Sequence, residues 1–384
     1  MIRPSSVPFL VLVAGCVFLL LSLHVDVVQP LHFADEFPSL DETNEMARLS
    51  LLVYKFRYKR NFTCDNFHDH TKDKDWYADV QCHWYFHDVD LGTQVLLASN
   101  DDPHKKYVAV VFAGTDDLRT SLEDADILTK RFGNNETVQL PDNHIKVHAG
   151  FNNAVFSHNI WEQVYNQTSR VLRHKQDKNY KLYTTGHSLG AANAILTATA
   201  FASQTGEDAL PNAVKSINFG CPQIGNDYWR GYFNATSPLR EKIGIWRVVL
   251  AWDPVARLPE LFYHVGHTIQ VDGKTNDVRV YYEHYGDESK GYAQVPTGWY
   301  SRSYAWLPFA LGDHRMHKYL EHLGELNQTI WPNQFYPVDG TVYDDDIWDN
   351  PPTDDWILEE RITEEDDGEE GDFLWYEKVK SLFF

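Results

Sequence analysis

The chain is short of cysteine, of positive charge and of metal-ligand spacings, and each shortage closes off a class of function. Four cysteines occur in 384 residues. Cys16 lies in an apolar leader, and Cys221, in FGCPQIGN at a strand end, reads as a buried free thiol. That leaves Cys64 and Cys82, flanking a polar segment, as one candidate disulfide in an oxidising compartment. Lys and Arg number 34 against 55 Asp and Glu, and no basic stripe is present to meet phosphates, which excludes nucleic acid as a partner. Eighteen histidines make coincidental clusters easy. His68-Asp69-His70 with His83, His87 and Asp88 could pass for a metal site, but no H-E-x-x-H or comparable spacing occurs. The polar loop between the two cysteines accounts for them, so no metal and no cofactor is expected. No internal repeat is visible.

What is present is enough apolar material for one large core: 43% hydrophobic and 14% aromatic residues. The net charge of −21 is unevenly spread. Residues 339–384 alone carry −14, which leaves −7 for the rest. That tail, with DDD, PP and EEDDGEEGD, has the composition of a disordered segment. At the other end Arg3 precedes an uninterrupted apolar run from Val7 to Leu23 with no A-x-A cleavage signal after it. It reads as a signal peptide or an uncleaved signal anchor, and both send the chain into the secretory pathway, to be secreted, lumenal or membrane-anchored. Sequons at Asn61, Asn135, Asn166, Asn234 and Asn327 agree with that route as glycosylation acceptors. The expected organisation is a leader over 1–28, a linker over 29–44, one folded domain over 45–333 and the acidic tail over 334–384.

Within the folded part, buried β-type runs stand at Tyr107–Phe112, Leu182–Thr185, Val214–Phe219 and Ile245–Leu250. Helical spacing separates them; from Phe151 the apolar positions Val155, Trp161, Val164, Val171 and Leu172 recur at three- to four-residue intervals or multiples. Strands alternating with amphipathic helices predict an α/β fold, a mainly parallel central sheet covered by helices on both faces.

One short stretch carries chemistry. TTGHSLGAANA places Ser188 between Gly186 and Gly190, after a strand and before an Ala-rich helix. Strand, sharp turn and helix in that order form a nucleophile elbow, with Gly186, His187 and Gly190 around an exposed serine oxygen. Leu189, at the helix start, has a backbone N–H free to donate to an oxyanion. A serine nucleophile needs an orienting acid and a base, each following a later strand. Asp253, in AWDPVARLP after the strand ending at Leu250, stands where the acid belongs. Upstream, YVAVVFAGTDD runs a buried strand into Gly114-Thr115, from which Thr115 could serve the oxyanion. For the base, LGDHRMHKYLEH offers His314, His317 and His322. A helix from about 315 would place His314 at its mouth, with Met316, Tyr319, Leu320 and Leu323 as its buried stripe and the later histidines on that helix, solvated or partly packed.

These motifs, taken in order, resemble the fungal-type (class 3) lipases of the α/β-hydrolase fold. GHSLG is nearest the family pattern. FAGT resembles the F-R-G-[ST] oxyanion segment with Ala113 in place of Arg. VHAGF resembles V-H-x-G-F, FGCPQIGN resembles F-G-x-P-R-V-G-N, WDPVARLP resembles N-D-P-V-P-R-L-P, and YHVGH resembles the family's structural H-x-G segment. The resemblance implies Ser188 as nucleophile, Asp253 as acid, Thr115 and Leu189 as oxyanion hole, and a lid within residues 116–133. It favours His314 as base, through Asp313-His314 and a Tyr five residues later, and sets His264 aside as structural. It implies a serine ester hydrolase acting on acyl glycerols at a membrane or droplet surface, above all a triacylglycerol lipase. A phospholipase A1, galactolipase or carboxylesterase is the rival among enzymes. A non-catalytic lipid-binding protein of the same fold is the rival outside them.

Overall fold

The computed structural model describes residues 36–56, 62–71, 75–115, 128–134, 137–175, 180–205, 210, 213–233, 239, 241–259, 262–273, 275–281, 312–327 and 329–331. The expected leader and acidic tail lie outside these residues, as do Asn61, Asn135 and Asn234.

In chain order, α1 spans Leu40–Phe56 and α2 Phe67–Thr71, followed by β1 at Val80–Asp88, β2 at Thr93–Asn100 and β3 at Tyr107–Phe112. Two short strands, β4 at Thr129–Arg131 and β5 at Lys146–His148, precede α3 at Ala149–Phe156 and α4 at Ile160–His174. Then come β6 at Lys181–Gly186, α5 at Leu189–Ser203, β7 at Val214–Phe219, α6 at Asp227–Tyr232 and β8 at Ile243–Leu250. The last described elements are β9 at His267–Val271, β10 at Val278–Tyr281 and α7 at Met316–Glu325.

Eight strands form the central sheet in the order β1-β2-β3-β6-β7-β8-β9-β10. β3, β6, β7, β8 and β9 run parallel, and the antiparallel pairs lie at the edges. The expected α/β-hydrolase arrangement is therefore the observed one, with all four predicted strands in its parallel centre. Both faces of that centre are covered. On β3, Val108, Val110 and Phe112 point into one apolar layer with α3, α4 and α5. Tyr107, Ala109 and Val111 point into the other, with α1 and α7. This is why these strands read as continuous apolar runs instead of alternating ones. Thirteen residues of α5 are buried, so that helix needs small side chains all round, which its alanines supply.

One boundary needs correction. Helix α1 already belongs to the fold, inside the stretch 29–44 assigned to a linker, because Leu40 and Thr43 are buried. The start is fixed locally by a reciprocal cap: Glu42 N–H donates to Ser39 Oγ at 3.1 Å, and Ser39 N–H donates to Glu42 Oε2 at 2.9 Å. The helical spacing from Phe151 falls on two helices. It breaks between α3 and α4, where His158 and Asn159 both take left-handed backbone angles. Of the later histidines on α7, His322 is the packed one, its ring filling the space beside Gly273.

Cys64 and Cys82 are bridged, with Cα atoms 5.1 Å apart, and tie the segment before β1 to that edge strand. Of the histidines near this bridge, His68 and His70 are exposed on α2, and His83 Nε2 sits 2.8 Å from Ser99 Oγ on β2.

Candidate active site

The sharpest backbone feature lies where β6 passes into α5. Ser188 has φ 58° and ψ −129°, a region costly for a residue with a Cβ and held only when the surroundings fix it. Here the surroundings are two glycines. A Cβ on Gly186 would come within 2.7 Å of Phe112 O and strike the Gly190 backbone, and one on Gly190 would strike the end of β3. The elbow and the β3 end are thus in backbone contact, which only glycine permits. Ser188 is buried, and its Oγ meets no hydrogen-bond partner among the described residues.

β3 continues through Ala113 and Gly114 to Thr115. A Cβ on Gly114 would lie 2.8 Å from His187 O and 3.1 Å from Ser188 Cβ, so this strand end runs directly beside the nucleophile. Thr115 is half-buried there. Leu189, as the first residue of α5, has a backbone N–H with no partner inside the helix. Both candidate oxyanion donors flank Ser188.

β8 and the loop after it bring the acid. Asp253 is fully buried and accepts three different donors. Val255 N–H donates to Oδ1 at 2.8 Å, the Tyr319 hydroxyl donates to Oδ2 at 2.5 Å, and His314 Nδ1 lies 2.8 Å from Oδ2 and 3.0 Å from Oδ1. The loop itself is clamped by the buried Arg257, whose guanidinium donates to the carbonyls of Asp253 and, at 2.6 Å, of Ala251. Burial pushes the Asp253 carboxyl up, but the adjacent His314 and the hydrogen bonds from His314 and Tyr319 hold it below the ordinary aspartate value. It is therefore ionised and fixes the histidine proton on Nδ1. His314 Nε2 is left with a lone pair, buried and without a partner among the described residues. Tyr319 in turn accepts from Leu250 N–H at 3.2 Å, and burial followed by the Asp253 charge keeps it protonated.

The three candidate bases separate cleanly. His314 faces Asp253 from the turn before α7. His317 is exposed on that helix, and His322 packs under Gly273. His264 Nε2 lies 2.6 Å from Ala256 O and is a structural tie below the acid loop. The described part of the segment expected as a lid, residues 128–133, is anchored instead. β4 pairs with β5, and Phe132 is a core residue packed on Trp229 at 5.6 Å between ring centroids. Leu128 is the large apolar side chain exposed there, and residues 116–127 lie outside the described set. Sequence reasoning noted Tyr319 as a spacing marker but missed that it donates to the acid. It also missed Tyr54 of α1, whose hydroxyl lies 2.9 Å from His187 Nδ1. Nothing local announces that contact, because the two residues are far apart in the chain.

Residues 109–263 match the family described as lipase (class 3). The chain is 34% identical over 117 residues to phospholipase A1-II 3 of Oryza sativa subsp. japonica, covering 29% of this chain and 27% of that one. It is also 34% identical over 126 residues to triacylglycerol lipase OBL1 of Ricinus communis, 30% of this chain and 24% of that one. A lipase of Rhizopus niveus is 28% identical over 181 residues, 46% of this chain and 41% of the other. The chain thus spans less than half the length of each of these relatives. Among solved structures, lipase II of Rhizopus niveus is similar at a TM-score of 0.47 and 23% identity, covering 62% of this chain and 83% of that one.

Proposed function

We propose that this chain, which belongs over residues 109–263 to the class 3 lipase family, hydrolyses carboxylic esters of glycerolipids through a serine acyl-enzyme. The observation that carries the reading is two buried atoms with no partner among the described residues, Ser188 Oγ at the elbow and His314 Nε2 at the end of a chain that runs through Asp253 to Tyr319. Ser188 Oγ attacks the ester carbonyl while His314 Nε2 takes its proton. Asp253 stabilises the imidazolium that results. The oxyanion is met by the backbone N–H groups of Leu189 and Thr115, with the Thr115 hydroxyl as a supplement. His314 then returns the proton to the departing glycerol oxygen, and a water activated by the same Nε2 releases the fatty acid.

Triacylglycerol is the substrate we assign first. Phospholipid is the second reading, favoured by one observation: relatives named as a phospholipase A1 and as a triacylglycerol lipase match at the same 34% identity. A turnover panel of triacylglycerol emulsion, phospholipid, galactolipid and a short soluble ester decides between them. Fastest release of fatty acid from the emulsion is expected. Preference for phospholipid would transfer the assignment, and turnover of none would remove it. We further propose that the protein works in the secretory pathway, a reading supported by the Cys64–Cys82 bridge and by the exposed sequon residues Asn166 and Asn327.

A further inference from the structure

Two groups at this site have no part in the reaction just described: the buried His187, inside the elbow, and the half-buried Tyr54, on α1. His187 Nε2 lies 2.5 Å from the backbone carbonyl oxygen of His314, and the two rings pack with centroids 4.5 Å apart. On its other side Nδ1 lies 2.9 Å from the Tyr54 hydroxyl. That hydroxyl also occupies the space beside Gly114, where any Cβ would collide with it. One tyrosine of α1 therefore touches both the elbow and the oxyanion strand, and His187 carries the contact on to the main chain of the candidate base.

Partner chemistry fixes the direction of every bond. A carbonyl oxygen only accepts, so His187 Nε2 must carry the proton that faces His314 O. Burial, and after it the neighbouring His314, push His187 down to about 3, so the ring is neutral and has no second proton. Nδ1 then offers only a lone pair, and Tyr54 O–H donates to it. The titratable groups around the ring are Tyr54 from α1, Asp253 from the loop after β8, and His314, His317 and Tyr319 from the turn and helix at α7. Because His187 and Ser188 are adjacent in the chain, the bond to His314 O links base and nucleophile through a single peptide unit. Asp253 holds the His314 side chain at Nδ1 while His187 holds its main chain. With both ends fixed, the direction of Nε2 is set.

We propose that Tyr54 and His187 are positioning residues, a two-bond strap that sets the His314 main chain against the elbow. The role rests on the reading of His314 as the base. The test uses His187→Phe, which keeps the ring and loses both polar contacts, His187→Gln, which restores a donor near the Nε2 position, and Tyr54→Phe, which removes one proton and little else. Turnover of a short soluble ester is measured together with nitrogen chemical shifts of the histidine rings in 15N-labelled protein, with the Tm of each variant as the fold check.

Near-attack geometry is sensitive enough that His187→Phe should lower kcat roughly 10²-fold and Tyr54→Phe about 10-fold, with KM nearly unchanged. His187→Gln should recover most of the loss. In the unmodified protein His187 should give the shifts of a neutral ring protonated at Nε2 from about pH 5 to pH 8, a range over which an ordinary histidine would titrate. Should His187→Phe fail to fold, Tyr54→Phe and the ring shifts still decide. A folded His187→Phe with full kcat, or a His187 ring protonated at Nδ1, would overturn the strap. Absence of turnover in the unmodified protein would instead overturn the hydrolytic reading on which the role rests.

Discussion

A carboxylate set against a tyrosine occurs at both ends of the parallel strands, half-buried at one and fully buried at the other, and on our reading only one of the two is built to react. At the strand starts, Glu42 of α1 accepts the Tyr183 hydroxyl and, at 3.0 Å, Lys181 Nζ on one oxygen, and Ser39 N–H on the other. At the strand ends, Asp253 accepts the Tyr319 hydroxyl, Val255 N–H and His314. Burial works against both carboxylates and their partners overcome it: Lys215 and Tyr183 for Glu42, His314 and Tyr319 for Asp253. What differs is the third partner. Lysine is charged over the working pH range and has nothing to pass on, so the Glu42 cluster ends where it begins. Histidine has a second nitrogen, and at His314 that nitrogen is buried without a partner among the described residues, in a residue packed against the elbow that carries a strained serine in the same condition. Local chemistry that looks alike therefore serves docking of α1 at one end and, on our reading, proton transfer at the other.

The comparison predicts opposite signatures, and the largest belongs to the open cluster. Ser188→Ala and His314→Ala should each reduce turnover by about 10⁴-fold or more, and the double variant should be little worse than either, because the two act as one unit. Asp253→Asn should follow at roughly 10³- to 10⁴-fold, by allowing His314 the wrong tautomer. Its counterpart Glu42→Gln should leave turnover untouched and lower Tm instead. The sign of its pH dependence follows from the depressed Glu42 pKa. The contribution is present above the ordinary value of 4.5 and is lost as pH falls through the folded value. The unmodified protein should therefore lose Tm in acid more steeply than Glu42→Gln does, and parallel acid profiles would dissolve the contrast.

Thr115→Val tests the oxyanion side and should lower kcat by roughly 10- to 10³-fold with little change in KM. A change confined to KM would make Thr115 a substrate-binding residue. The smallest effect lies outside both clusters. Breaking the Cys64–Cys82 bridge by paired Ala substitution should cost about 3 kcal/mol in the loop-entropy view. It should shift Tm while leaving kcat alone, and a fall in kcat at unchanged Tm would contradict the separation of edge from site.

Much of the open cluster was legible in the sequence, and almost none of the closed one. Ser188 could be read because the elbow needs glycines on both sides of it within five residues. Asp253 could be read because it follows a strand whose end was visible, and His314 because it precedes a helix whose start was visible. The parallel strands announced themselves by being apolar on both faces. Two others did not: the edge strand β1 is half-exposed along most of its length, and β9, one strand in from the opposite edge, buries His267, Thr268 and Gln270, so neither shows a clean period. The start of α1 carried a local signal in Ser39 and Glu42, three residues apart, that would have moved the domain boundary. Contacts such as Tyr54 with His187, or Tyr183 with Glu42, depend on how distant segments are laid together, and no local pattern encodes them.

The most direct measurement of the central claim is covalent labelling with a fluorophosphonate, followed by mapping of the modified peptide. The label should fall on Ser188 alone. The rate should drop about as far in His314→Ala as turnover does, and be unchanged in Glu42→Gln. Labelling of another residue, or labelling of Ser188 at full rate without His314, would contradict the account.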